Sequence, residues 1–413
     1  MSLAVCFYFQ VHQPYRLRPY SVFDIGQSQD YFDHDKNRAI LNKVADKCYL
    51  PTNRLMLKLL REHPEFKIAY SISGVALDQF EEYNPAVLQS FRDLVDTGRV
   101  EILSETYYHS LSFIFSKTEF KRQVAKHRER VQTLLGYKPT VFRNTELIYN
   151  NELAHTIEQM GYEGIVTEGA DHVMDWRSPN FLYRPVNTSK IKLLLKNYKL
   201  SDDVAFRFSN QGWAEHPLSA SKYANWLAAS TGQTINLFMD YETFGEHQWA
   251  DTGIFDFLDH LPREVRHHGH LEFKTPTQVV RDYEPVSDLD IHHLISWADM
   301  ERDLSAWMGN KMQDSALAEI YRLEHQIHDR IEAIESGQIV ATEEQLWLIE
   351  NWRKLQTSDH FYYMCTKWFS DGDVHKYFNP YDSPYEAFIT YMNVLNDIGV
   401  RIGADHQVIK TAG

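Results

Sequence analysis

The chain has 413 residues, with 42 Lys and Arg against 57 Asp and Glu, giving a formal charge of −15. That balance argues against a nucleic-acid backbone as partner, and the length suits one large domain with a second appended to it. No apolar run approaches the roughly 18 residues needed to span a bilayer, and the N-terminus has neither the basic start nor the apolar length of a secretion signal, so a cytoplasmic chain without membrane contact is expected.

In chain order, short β-rich runs alternate with amphipathic helices. Strands are expected at 4–10, 67–72, 100–103, 140–142, 164–167, 192–198 and 235–239, with a weaker run at 271–274. Helices are expected between them, at 51–62, 85–97, 117–135 and 151–160. Alternation of this kind predicts parallel strands with helical crossovers. Seven or eight such units fit an incomplete (β/α)7-type barrel over residues 1–285. A doubly wound open sheet is the alternative, but no glycine-rich phosphate loop follows the first strand.

The last third changes character, and residues 286–413 read as a helical domain packed on the barrel mouth. Residues 314–335 are charged and amphipathic, and Gly337 supplies a stop. Further helices are expected at 342–368 and 384–398. The cysteines Cys6, Cys48 and Cys365 are scattered and odd in number, which fits neither a disulfide framework nor a zinc cluster. Aromatic residues make up 14% of the chain, with 9 Trp and 24 Tyr. Most belong to a core, but flat amphipathic rings also suit a sugar face.

In a β/α barrel, chemistry collects where the strands end. Here the strand ends carry His12 and Gln13, then Glu105 and His109, then Glu146, and finally Asp240, Glu242 and His247. Glu146 and Asp240 stand out because each follows a β-rich run directly. A carboxylate at the exit of a buried strand is held rigidly and partly desolvated, and a neighbouring carboxylate raises one proton affinity of the pair. One ionised and one protonated carboxyl is the division of labour that glycosidic cleavage requires; in the retaining version the two lie roughly 5–5.5 Å apart.

Five segments in order resemble the signatures of glycoside hydrolase family 57: His12-Gln13-Pro14, Gly98 to Leu103, Phe142 to Glu146, Met239 to Gly245, and Leu355 to Tyr363. The fourth looks most like the α-amylase-type branch. The resemblance implies a distorted seven-stranded β/α barrel followed by a helical domain, acting with retention on α-1,4-glucans such as maltodextrin, starch or glycogen, without a cofactor or metal. It also implies Glu146 as nucleophile and Asp240 as general acid/base. One departure is Arg143-Asn144-Thr145 before the nucleophile, where many members have a Trp-containing stretch.

Around that pair, His12, Gln13, His109 and His247 are expected to hydrogen-bond sugar hydroxyls, since a neutral imidazole offers one donor and one acceptor. Glu105 and Glu242 are expected to tune the pair or bond hydroxyls. Asp359 and Tyr363 are four apart on an expected helix, with Trp352 seven residues before Asp359 on the same face. Trp213, Trp249, Trp297 and Trp307 are further aromatic candidates, core packing being the simpler role for each. Three other readings are open: a 4-α-glucanotransferase using the same carboxylates, a glucan-binding protein without turnover, and a metal-dependent deacetylase built from His12, His109, His172 and Asp240. The last is disfavoured because His267-His268 and His292-His293 are adjacent, which is poor spacing for shared ligation.

Overall fold

In a computed structural model of the chain, which describes residues 2–367 and 379–412 with side chains through 403, ten strands run in chain order. They are β1 (Leu3–Val11), β2 (Ile68–Ile72), β3 (Val100–Leu103), β4 (Val141–Arg143), β5 (Gly164–Glu168), β6 (Tyr183–Pro185), β7 (Lys192–Lys196), β8 (Thr234–Asp240), β9 (Leu271–Phe273) and β10 (Ser287–Leu289). β1 pairs in parallel with β8 on one side and β2 on the other. β2 pairs with β3, β4 with β5, β5 with β7, and β7 with β8, all in parallel.

The ring closes through two thin seams. Between β3 and β4, Ser104 N donates to Val141 O at 3.0 Å and Arg143 N donates to Ser104 O at 2.8 Å. Between β7 and β8 the ladder is a single register pair, Lys196 with Asn236. There the buried Asn236 side chain adds a stitch, donating from Nδ2 to Leu195 O at 3.1 Å. The result is the seven-stranded parallel β/α barrel expected from the alternation.

Strands β6 and β10 were absent from the sequence reading, and both lie outside the ring. β6 runs antiparallel to β7, with β10 beside it. The weak run at 271–274 is β9; it pairs only with the start of β1 at Leu3–Val5, below the point where β2 takes over at Tyr8. It is therefore a filler at the bottom of the barrel.

The barrel interior follows from the two-residue period of a strand. Every ring strand packs at least one side chain into the central core, where Tyr8, Ala69, Leu103, Val141, Val166, Leu194 and Phe238 meet, and β1 adds Ala4 and Cys6. All are essentially inaccessible. On the outer face of β1, Phe7 meets Phe273, and Phe9 meets Tyr70, Tyr241 and Phe244. The lumen is a packed plug, as in other barrels of this kind.

The chain forms two compact units, and the division is discontinuous. The first holds Met1–Gln13, Arg38–Tyr107 and Gln123–Trp297, and contains the barrel. The second holds Pro14–Asn37, Tyr108–Arg122 and Ala298–Gly413. A single cut after residue 285 was the simplest expectation; the second unit in fact draws in two stretches from earlier in the chain. The long helix expected at 342–368 is two helices, Glu343–Lys354 and Ser358–Tyr362, and position 368 lies outside the described residues. Asp359 and Trp352 are thus on different helices, and the shared face expected for them does not exist. Among the described residues, no helix is long and apolar enough to cross a membrane.

Candidate active site

Two residues beyond each member of the apolar plug, every ring strand presents a polar side chain: Gln10, Ser71, Glu105, Arg143, Glu168, Lys196 and Asp240. The period of two that carries the plug inward carries these inward as well, one layer higher at the strand C-terminal ends. Six of the seven are buried; Asp240 alone in this layer is half-exposed.

The buried members pair with one another. Ser71 Oγ donates to Glu105 Oε1 at 2.7 Å. Arg143 Nη1 lies 3.5 Å from Glu105 Oε2, and its Nη2 donates to Gln10 Oε1. Lys196 Nζ lies 3.5 Å from Glu168 Oε2 and 3.6 Å from Asp202 Oδ1. Burial drives the proton affinity of Arg143 down, and the charges of Glu105, Glu146 and Asp240 oppose that shift. One guanidinium therefore senses both candidate carboxylates from beneath.

Glu146 follows β4 in a tight turn. Its backbone is left-handed, with φ 57° and ψ 23°, and Leu147 follows at φ 52°. A non-glycine residue there costs about 1–3 kcal/mol and persists only when its surroundings over-determine it. They do so here. Thr145 Oγ1 and Thr106 Oγ1 hydrogen-bond at 2.7 Å. Tyr149 and Ile295 exchange backbone hydrogen bonds at 3.0 Å in each direction, which lays the 291–297 segment beside the turn. Trp297 at its end donates from the backbone to Glu146 O at 3.2 Å and from Nε1 to Glu146 Oε2 at 2.8 Å. The Glu146 side chain remains half-exposed.

Asp240 ends β8 in register with Gln10. The next residues turn back sharply. Gly245 sits at φ 113°, and a Cβ there would lie 2.0 Å from Lys47 O, so only glycine fits this turn. Glu242 is buried, accepts a hydrogen bond from the Tyr49 hydroxyl, and is also bonded by Gln13. Gln13 Nε2 in turn donates to Tyr49 Oη at 3.2 Å. Burial pushes the Glu242 carboxyl up to about 8, and the charge of Asp240 adds to the shift. Half-buried His247 is held down to about 4 by desolvation, against the pull of Glu246. It is thus a neutral imidazole at neutral pH.

His12 is half-exposed, and its Nδ1 is 2.7 Å from Ser73 Oγ, the N-cap of the helix Gly74–Tyr83. That contact orients the ring.

Four expected contact residues belong to the second unit. His109 is buried, and its carbonyl accepts from Ser358 N at 2.9 Å, which sets it beside the short helix bearing Asp359. Asp359 is half-exposed. Tyr363 is buried, with its hydroxyl pushed up by burial and then by Asp359. Trp352 is fully enclosed, and its Nε1 donates to Ile320 O at 2.9 Å. It is a core residue of that unit and offers no face to a ligand, which corrects the expectation of a sugar platform. Trp307 is likewise core.

The sequence reading missed three contributors. Trp297 appeared only as an aromatic candidate, whereas it donates to Glu146. Arg143 appeared only as a departure from a pattern. Lys196 was hidden because its strand was expected to run on to residue 198. Counting by two from Leu194 exposes it.

Comparison with known proteins agrees with this architecture. The profile described as glycosyl hydrolase family 57 matches residues 6–292. A protein of Methanocaldococcus jannaschii provisionally named an alpha-amylase is 44% identical over 403 residues, covering 96% of this chain and 84% of its own. A Thermococcus litoralis protein named 4-alpha-glucanotransferase is 26% identical over 145 residues, 35% of this chain and 22% of its own. Among solved structures, a branching enzyme of this family from Pyrococcus horikoshii superposes with a TM-score of 0.69 at 14% identity, covering 100% of this chain and 96% of that one. At that identity the likeness speaks for the fold.

Proposed function

The chain belongs to glycosyl hydrolase family 57, and on that premise we propose that it cleaves α-1,4-glucans with retention of configuration, as an α-amylase-type hydrolase working through a covalent glycosyl-enzyme. The observation that carries the proposal is a contrast in exposure. Glu105, Glu168 and Glu242 are sealed into the barrel end, while Glu146 and Asp240 alone among these five acids reach the surface, above a guanidinium that senses both. Sealed carboxylates can tune charge; only exposed ones can touch a substrate.

In this reading Glu146 attacks the anomeric carbon. The Trp297 indole holds one carboxylate oxygen and so sets the plane in which the other approaches. Asp240 protonates the departing glycosidic oxygen, then removes a proton from the incoming water. Arg143 stabilises the negative charge that the two carboxylates share between steps. Glu242 stays protonated beside Asp240 at neutral pH and so adds no second negative charge there. His12, oriented by Ser73, bonds a sugar hydroxyl.

A transferase differs only in the acceptor, a sugar hydroxyl in place of water, and the relative named 4-alpha-glucanotransferase supports that second reading. Incubation with maltoheptaose separates the two. Shorter products alone mean hydrolysis; shorter and longer products together mean transfer. No change in maltoheptaose or glycogen contradicts both.

A further inference from the structure

A groove of about 630 Å³ lies wholly within the second unit, between the 27–34 stretch and the helix Glu343–Lys354. That volume falls inside the roughly 300–1,000 Å³ of ordinary small-ligand sites. The mechanism above uses none of its residues. We propose that this groove is a separate binding site for a run of α-linked glucosyl units, holding polymeric substrate without cleaving it. The proposal rests on the α-glucan reading of the active site and extends it to a second place on the chain.

The lining carries the features of a sugar site. Trp347 is half-buried, with its ring centroid 5.1 Å from that of Tyr31. Tyr31 is fixed in turn, its hydroxyl donating to the buried Asp397 at 2.5 Å. The aromatic element is therefore rigid before any ligand arrives, which lowers the ordering cost of binding. Around it stand groups suited to hydroxyls, which both donate and accept: the Glu350 carboxylate, the Asn351 amide, and the exposed Asp30 and His34. Several are positioned by neighbours. Glu350 Oε2 accepts from Tyr108 Oη at 2.7 Å, Asn351 Nδ2 donates to Trp347 O at 2.7 Å, and Asp30 Oδ2 is 2.7 Å from Arg18 Nη1.

Charge selects among small polar ligands. The lining holds two carboxylates, Asp30 and Glu350, and one ammonium, Lys354, which rests 4.2 Å over the Tyr15 ring. With Arg18 paired to Asp30, the two carboxylates are balanced by two cations, so a phosphorylated or otherwise anionic ligand finds no surplus of positive charge to hold it. A purely apolar ligand would strand the amide and carboxylates without partners. A neutral polyol with one flat hydrophobic face suits both the ring and the polar rim.

The test is calorimetric titration of the full chain with maltoheptaose in a Glu146→Gln background, so that the ligand survives. Glu146→Gln is expected to bind two maltoheptaose molecules per chain. Adding Trp347→Ala is expected to remove one of them, weakening that site by about tenfold or more. Because Trp347 packs on Tyr31, a Gln29→Ala/His34→Ala double variant of exposed residues serves as a second probe and is expected to weaken the same site alone. Two sites of unchanged affinity in both variants, or a single site in Glu146→Gln that neither variant alters, overturns the groove while leaving the active-site reading intact. A site lost with Trp347→Ala in a chain whose wild type turns over no α-glucan supports the groove and overturns the catalytic reading. No binding in any variant overturns the groove, and turnover by wild type then decides the catalytic reading separately.

Discussion

Trp297 grips Glu146 twice, through its indole at 2.8 Å from Oε2 and through its backbone N–H at 3.2 Å from the carbonyl. One residue from the end of the first unit thus fixes both the orientation of the proposed nucleophile and the left-handed backbone that presents it. The same ring lies near two cations, 5.2 Å from Lys196 Nζ and 6.0 Å from Arg143 Cζ. Trp297→Phe keeps the ring and deletes the donor. A hydrogen bond to a charged group is worth about 1.5–3 kcal/mol, so kcat/KM on a maltooligosaccharide is expected to fall by about 10- to 100-fold with little change in thermal midpoint. Equal activity in the two proteins would remove Trp297 from the machinery.

Arg143 and Glu105 form a fully buried pair. Arg143→Met leaves Glu105 without its cation and is expected to cost about 3–5 kcal/mol of stability. Arg143→Met/Glu105→Gln should recover most of that loss in a urea titration. Activity should not return with it, because the charge sensed by Glu146 and Asp240 is still gone. Joint recovery of stability and activity would reduce Arg143 to a structural residue.

Glu242 makes stability depend on pH in a definite sense. Its folded proton affinity is raised from an ordinary 4.5 to about 8. The stability that the protonated form contributes is fully present below pH 4.5 and is lost as pH rises through 8. Each tenfold change in proton affinity corresponds to about 1.4 kcal/mol, so the effect is large enough to see in a thermal midpoint. Glu242→Gln keeps a neutral partner for Tyr49 and should flatten this decline between pH 4.5 and about 8. An identical slope in wild type and variant would show that Glu242 is not the group responsible.

Gly245 tests the turn that follows Asp240. At φ 113° an alanine costs about 1–3 kcal/mol in backbone strain alone, and its Cβ would strike Lys47 O. Gly245→Ala is expected to lower both the thermal midpoint and the activity, since the same turn positions Asp240 and Glu242. A variant of wild-type stability would mean that the turn opens without penalty.

Much of this was legible in the sequence because strand parity is strict. The ring strands were readable from alternating β-rich runs, and the carboxylates from their place at strand ends. The residues that escaped notice did so for physical reasons. β6 and β10 are three-residue strands outside the ring, too short to carry a period. The break at 355–357 escaped because neither glycine nor proline marks it, while Thr357 turns aside to donate to Tyr108 O at 2.8 Å. Trp352 shares the helix face of the buried Leu348 and Ile349, and spacing alone does not say whether such a face meets other helices or a ligand. Trp297 acts on Glu146 across a separation of 151 residues, a distance no local pattern reports.

In the proposed reaction Glu146 forms a covalent bond to the sugar while Asp240 moves the proton. The most direct measurement is mass spectrometry of peptides after trapping with a fluorinated α-glucosyl fluoride, which forms the glycosyl-enzyme quickly and releases it slowly. One glucosyl adduct is expected, on the peptide carrying Glu146, absent in Glu146→Gln and persisting longer in Asp240→Asn. An adduct on another carboxylate, or undiminished turnover of maltoheptaose by Glu146→Gln, would contradict it.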